Sequence, residues 1–179
     1  MRALQQTHDI VLRWRSFELR PAGAPPLPDD YRQYIEQVGR PRFNQMMREQ
    51  HGIEVHSGPF GINSRDALIG EKAAEAYGLG AVYHELVTRA YWDEAKDISD
   101  RTVLCAIAET SGIDGGVFIA ALDDPGYDAA VSEDVTLAQQ IGITGVPALI
   151  FAGRYLVSGA QPIETLRQVV ERVTAEFGA

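Results

Sequence analysis

From Asp9 to Leu19, DIVLRWRSFEL, apolar and polar positions alternate. Ile10, Leu12, Trp14 and Ser16 fall on one parity, Val11, Arg13, Arg15 and Phe17 on the other. The first set is mostly apolar, and alternation at period two predicts a strand with one face buried. The preceding RALQQTH reads as the last turns of a helix. Pro21 to Pro28, PAGAPPLP, holds four prolines in eight residues, which excludes helix and favours extended backbone. Asp29 or Asp30 then caps a helix through Val38. Gly39 breaks it, and Pro41 suits the first turn of another, to Gln50, with Phe43, Met46 and Met47 on its apolar side. HGIEVHSGPFG reads as a loop with a short extended piece.

From Asn63 to Ile141 the period becomes helical. Asn63 with Asp66 three residues on resembles a capping box, and Ala67, Ala74 and Tyr77 are candidate core positions of a helix that stops near Gly78. Val82, Leu86 and Ala90, beside Tyr83, Val87 and Tyr91, mark a second amphipathic helix. Tyr91 and Trp92 at its end read as core packing. Ser99 caps a third helix with Val103, Leu104, Ile107 and Ala108 inward, ended by Gly112. Asp114 opens a fourth through Leu122, and a fifth runs from Tyr127 to Ile141 with Val131, Val135 and Ala138 on one side.

The pattern changes again at Gly142. ALIFA is a short apolar strand, Ala152-Gly153-Arg154 a tight turn and RYLVS a second strand, so the pair reads as a hairpin. Pro162 sits at the first turn of a last helix, with Glu164 near its positive end and Ile163, Leu166, Val169, Val170 and Val173 along one face. Pro147 stands at the mouth of the first strand, where a residue without an N–H cannot donate to a ladder. Either the strand starts late, or this proline serves something besides the sheet.

Composition narrows the classes. The chain has 179 residues, 45% hydrophobic and 23% charged, as expected for a globular protein with one substantial core. A formal net charge of −9 argues against nucleic acid and against an anionic membrane as partners, because both call for a basic face. No apolar run approaches the roughly 20 residues of a membrane span, and no basic stretch followed by an apolar one opens the chain, so the expected location is cytoplasmic. The single cysteine, Cys105, cannot close an intramolecular disulfide or build a multi-thiolate metal site and reads as a small buried hydrophobe on a helix. His51, Glu54 and His56 read as solvated loop residues, and the acidic run Asp123, Asp124, Asp128, Glu133 and Asp134 as a solvated helical face. There is no nucleophile elbow, phosphate loop or dinucleotide fingerprint. No catalytic residue, metal site or cofactor is expected.

Four segments carry a family. WRSFELRP resembles a second strand and the loop after it, NSRDAL the start of an inserted helical domain, and RAYWDEAKDISD a helix end and turn of that domain. GITGVPALIFAGRYLVSGAQP resembles the closing half of a thioredoxin fold. Together, and in this order, they resemble the DsbA-like thioredoxin-fold oxidoreductases, in particular the FrnE-like branch related to 2-hydroxychromene-2-carboxylate isomerase. The resemblance implies an α/β thioredoxin-like fold, made by residues 1–28 and 142–179, with an all-helical insertion over 29–141. It implies a cis Val146–Pro147 bond, and Gly145, Val146 and Pro147 as the substrate-binding loop. There the Val146 backbone would pair with an extended peptide or a glutathione-like thiol.

The same resemblance implies a C-x-x-C after a first strand and at the start of a first helix, where the helix end favours the thiolate. No such pair occurs in these residues, and Met1 to His8 matches the tail of that helix. The serine that replaces the first cysteine in the glutathione-binding isomerases is missing too. Leu68 and Ile69 stand where the helical domain often carries histidine and arginine. The expected function is therefore a DsbA/FrnE-like thiol–disulfide oxidoreductase scaffold, redox-inactive as this chain. The alternatives are a glutathione-dependent isomerase of the 2-hydroxychromene-2-carboxylate type and a non-catalytic binding or assembly module. The family's first strand lies centrally, so its loss would leave Ile10–Phe17 and Ala148–Ala152 with open edges. The expected outcome is a homodimer with sheet contacts between chains, or an altered pairing of the remaining strands. The reading frame before Met1 separates two origins. A Cys-Pro-x-Cys shortly upstream goes with a start placed too late, and a stop codon there goes with a member that has lost its redox chemistry.

Overall fold

Most of the helix boundaries between Asn63 and Leu122 follow from two local devices, side-chain acceptors for the free N–H groups of a first turn and glycines in left-handed backbone after the last. The structure, a computed structural model, describes residues 2–178. They form two compact units, Glu18–Glu133 and the pair of segments Met1–Phe17 and Asp134–Ala179. These divisions fall earlier in the chain than those read from the proline-rich connector and from Gly142, because the last turns of the fifth helix of the helical block belong with the smaller unit.

The larger unit is helical. After α1 (Arg2–Gln5), which lies in the smaller unit, the chain runs in the larger one through α2 (Asp29–Tyr34), a π turn (Ile35–Gly39), α3 (Arg40–His51), α4 (Arg65–Ala76), α5 (Gly80–Trp92), α6 (Arg101–Ser111) and α7 (Gly115–Leu122). The first part of α8 (Pro125–Gln140) belongs to it as well. Its core is formed by residues such as Ile69, Tyr83, Leu104, Ile107, Phe118 and Val131. Asp114 accepts from the Val117 N–H at 3.0 Å, as its position suggested. Asp100, not Ser99, caps α6, accepting from the Thr102 N–H at 2.7 Å, while the Ser99 hydroxyl turns back to Asp97. The capping box also needs correction. Asn63 accepts from the Arg65 N–H, but Asp66 is drawn across to Arg101 at 2.7 Å, where a full positive charge outcompetes a backbone amide.

Gly39 does not break its helix. Its φ is −63°, and helical backbone runs unbroken from Asp29 to His51. The wider π turn lies directly before Pro41, whose ring would crowd the carbonyl four residues back in a regular α-helix. Tyr77 and Val82 are exposed, so the inward face of α5 centres on Tyr83 and Ala90, and Trp92 lies half in solvent against Phe43. Asp128 is half exposed but is also paired. Its carboxylate and carbonyl both bind Arg65, which also holds Glu18 at 2.8 Å. Burial alone would lower the Arg65 pKa; the bonds and charges of Asp128 and Glu18 outweigh it and hold the group above its ordinary value.

The smaller unit holds α1 (Arg2–Gln5), the segment around residues 9–17, the end of α8, the strands β1 (Ala148–Phe151) and β2 (Tyr155–Ser158), and α9 (Ile163–Phe177). β1 and β2 pair antiparallel from Ala148↔Ser158 to Phe151↔Tyr155. Ala152 and Gly153 turn the chain at φ of 49° and 67°, the positive values a tight hairpin needs. α9 packs on β1 and on α1, burying Leu166, Val170 and Leu4. Among the described residues no helix is long and apolar enough to cross a membrane.

One expected element is missing. Residues 9–17 form no strand, and the sheet of the described residues has two strands only. The alternation did report burial, since Ser16 is buried and Ile10 and Leu12 are more enclosed than Val11 and Arg13. It could not report pairing, which needs a neighbour. Nor do residues 9–17 and β1 pair with each other, so the altered sheet is not formed.

Packing in the larger unit gives two tests. A Cβ on Gly70 would lie 2.6 Å from Phe118 Cζ and also meet the Tyr83 hydroxyl, so Gly70→Ala should cost about 1–3 kcal/mol in a denaturation titration. Tyr83 Oη is buried with no hydrogen-bond partner among the described residues, and burial, with Glu71 and Asp66 nearby, pushes its pKa up. Tyr83→Phe should therefore leave stability unchanged or raise it by about 1 kcal/mol; a loss larger than that would mean the hydroxyl is bonded.

Candidate functional site

Val131, Asp134, Val135 and Ala138 recur at helical spacing along α8. Val131 and Ala138 are buried, and Asp134 lies between them on the same stripe, with 3% of its side chain exposed. A carboxylate taken out of water must be bonded. Asp134 accepts from Arg15 Nη1 at 2.8 Å and from the Ser16 N–H at 2.9 Å. Within the smaller unit these bonds fasten the C-terminal end of the extended segment 9–17 to α8. Reading Asp134 as part of a solvated acidic face was wrong. Its place on the stripe of Val131 and Ala138 was the available signal.

Fastened in this way, residues 9–17 form one long wall of an open groove of about 800 Å³. Residues 146–153 form another, and side chains from the end of α8 and from α9 complete it, all within the smaller unit. The lining is mainly apolar. Val11, Leu137, Ile141, Val146 and Ile150 all contribute to it and are all strongly exposed, Val11 at 83%.

The groove receives two of the three residues expected in the substrate loop. Val146, 53% exposed, and Pro147 line it; Gly145, half-buried, does not. The Val146–Pro147 peptide bond is cis. The Pro147 carbonyl accepts from the Gly159 N–H at 2.8 Å, which ties the loop to the far end of the hairpin. The Val146 N–H and C=O have no hydrogen-bond partner among the described residues. Cys105 belongs to the larger unit. Its half-buried thiol lies 3.8 Å from the Gly115 carbonyl in the α6–α7 packing. Leu68 and Ile69 are on α4, with Ile69 in the core.

This architecture has relatives. The family model of the DsbA-like thioredoxin domain matches residues 1–171. The chain belongs to the DsbA-like thioredoxin family. The Bacillus subtilis (strain 168) protein YwbO is 30% identical over 158 residues, covering 85% of this chain and 76% of YwbO. A solved structure described as a probable DsbA oxidoreductase from Streptomyces coelicolor is 25% identical with a TM-score of 0.76, over 92% of this chain and 76% of that one. A 2-hydroxychromene-2-carboxylate isomerase has a TM-score of 0.77 over 99% of this chain and 90% of its own, at 20% identity, and so speaks for the fold alone. The family and the thioredoxin-like fold with helical insertion expected from the sequence are therefore those found.

In this DsbA-like chain the groove wall depends on Asp134. Hydrogen bonds to a charged group contribute about 1.5–3 kcal/mol each. Asp134→Ala should lower stability by about 2–4 kcal/mol and speed exchange of the Ser16 amide, whose N–H Asp134 accepts. An unchanged rate at Ser16 would show that something other than Asp134 holds the wall.

Proposed function

We propose that this DsbA-like chain is a thiol–disulfide oxidoreductase scaffold that binds an extended peptide or a glutathione-like thiol through the Val146 backbone and carries out no dithiol exchange of its own. The observation that supports the binding half is the unpartnered Val146 N–H and C=O at the mouth of an apolar groove. An extended ligand can take up both groups as an added strand would. Val146 then supplies the polar atoms, Pro147 the direction of the chain, and the apolar wall the burial of the ligand's side chains.

The redox half rests on the inventory of sulfur. Dithiol exchange needs a thiolate to attack a disulfide and a second thiol to resolve the mixed disulfide. The 179 residues hold one cysteine, and its thiol is enclosed between α6 and α7 with no cationic group among its hydrogen-bond partners.

Each half has its own test. In a disulfide-reduction assay the chain should show no turnover above that of Cys105→Ser; turnover that vanishes in the variant would overturn the redox half. In a glutathione titration followed by amide chemical shifts, the changes should centre on Val146 and its neighbours. Saturation with the shifts elsewhere, or none at all, would overturn the binding half.

A further inference from the structure

A surface helix of a globular protein normally buries one apolar stripe against its neighbours. The helical run from Asp29 to His51, about 34 Å long, buries none of its residues. It is held to the larger unit at points. Arg40 donates to the Gly58 carbonyl and lies over the Phe60 ring, Tyr31 meets Phe60, and Phe43 meets Trp92 at the end of α5. Tyr31, Tyr34, Phe43, Met46 and Trp92 stay exposed.

The π turn decides how these side chains line up. An α-helix completes three turns in about eleven residues, and a π turn holds about one residue more than an α turn. Positions twelve apart across Ile35–Gly39 therefore return to the same side, Tyr31 with Phe43 and Tyr34 with Met46. The four make one stripe along the run, and Trp92 widens it beside Phe43. Exposed aromatic and methionine side chains in a row, with arginines beside them, have the composition of an interface.

The charges along the same run say what covers the stripe. Its first half carries Asp29, Asp30 and Glu36 against Arg32, its second half Arg40, Arg42 and Arg48 against Glu49. Arg48 is paired with Glu54 at 3.5 Å, while Asp30, Glu36 and Arg42 are exposed and have no ion pair among the described residues. A two-fold axis across the middle of the run reverses it, so the acidic half of one copy faces the basic half of its partner, twice over. The same rotation sets the tyrosine end of one stripe against the Phe43 and Met46 end of the other.

We propose that this face is the contact between two copies of the chain, paired antiparallel through Asp29–His51 and flanked by Trp92. Each copy carries a net charge of −9, which opposes association at long range, so the contact forms where the surface offers both signs. A partner of other sequence would need the reverse charge order beside an apolar row; the chain's own helix has it. The contact lies wholly in the larger unit and uses no strand edge, unlike the sheet-to-sheet dimer expected from the sequence. It is independent of the proposed function, which concerns the groove of the smaller unit. A helix pair with its flanking side chains falls at the small end of stable interfaces, so the dimer depends on concentration.

The test is sedimentation equilibrium of the full chain between roughly 1 and 200 µM, over which it should pass from monomer to dimer. Tyr34→Glu, Asp30→Lys and Arg42→Glu, each alone, should raise the dissociation constant about tenfold or more with the circular dichroism unchanged. The first puts a charge into the stripe, and the other two set like charges against each other. The double variant Asp30→Lys with Arg42→Glu should restore the dimer, since the exchanged signs again face their opposites in an antiparallel pair. A chain that is monomeric throughout would overturn the proposal. So would a dimer indifferent to these changes, which would place the contact elsewhere, or a double variant that stays monomeric.

Discussion

Asp134 accepts two hydrogen bonds from a segment more than a hundred residues earlier in the chain, Arg15 through its guanidinium and Ser16 through its backbone. A carboxylate with so little exposure cannot be left without such partners, so this contact fixes where residues 15–16 lie in the smaller unit. The residues before them are then held extended along the groove without a neighbouring strand. The wall of residues 9–17 in the candidate site rests on that arrangement, while the loop of Val146 is tied separately through Pro147 to Gly159.

The two units solve the burial problem to different degrees. In the larger one, side chains from α4 to α8 close around Tyr83, Leu104 and Phe118, each with almost no exposed surface. In the smaller one the buried apolar residues are Leu4, Ala138, Leu166 and Val170, while Val11, Val146 and Ile150 remain in solvent beside the groove. Apolar area left in water forgoes about 25 cal/mol per Å², and an open strand edge forgoes its ladder bonds as well.

The helical unit was largely legible because its signals are local. Asp114, Gly112 and Gly78 act within one turn of where they stand, and the hairpin follows from a short loop that tolerates positive φ. Three misreadings share a cause in partners distant in sequence: Asp66 left its capping box for Arg101, and Asp128 and Asp134 left a nominally solvated face for Arg65 and Arg15. Gly39 is a local case, helical because a π turn makes room for Pro41. Residues 9–17 showed the alternation of a strand because one side is enclosed, yet a strand is defined by its neighbour, which alternation does not encode. Of the substrate loop, Val146 and Pro147 were found through the likeness of their segment to a family, while the wall opposite them became visible only in three dimensions.

The account stands on the claim that both walls of the groove are unpaired in the free chain. Hydrogen exchange of the unliganded protein tests this most directly. Ile10 to Arg13 should exchange about as fast as amides in an unstructured peptide of the same sequence, while amides around Leu104 and Ile107 in α6 exchange slowly. Protection of residues 10–13 comparable to that of α6 would mean that these residues already have a backbone partner, and the groove described above would not exist in solution.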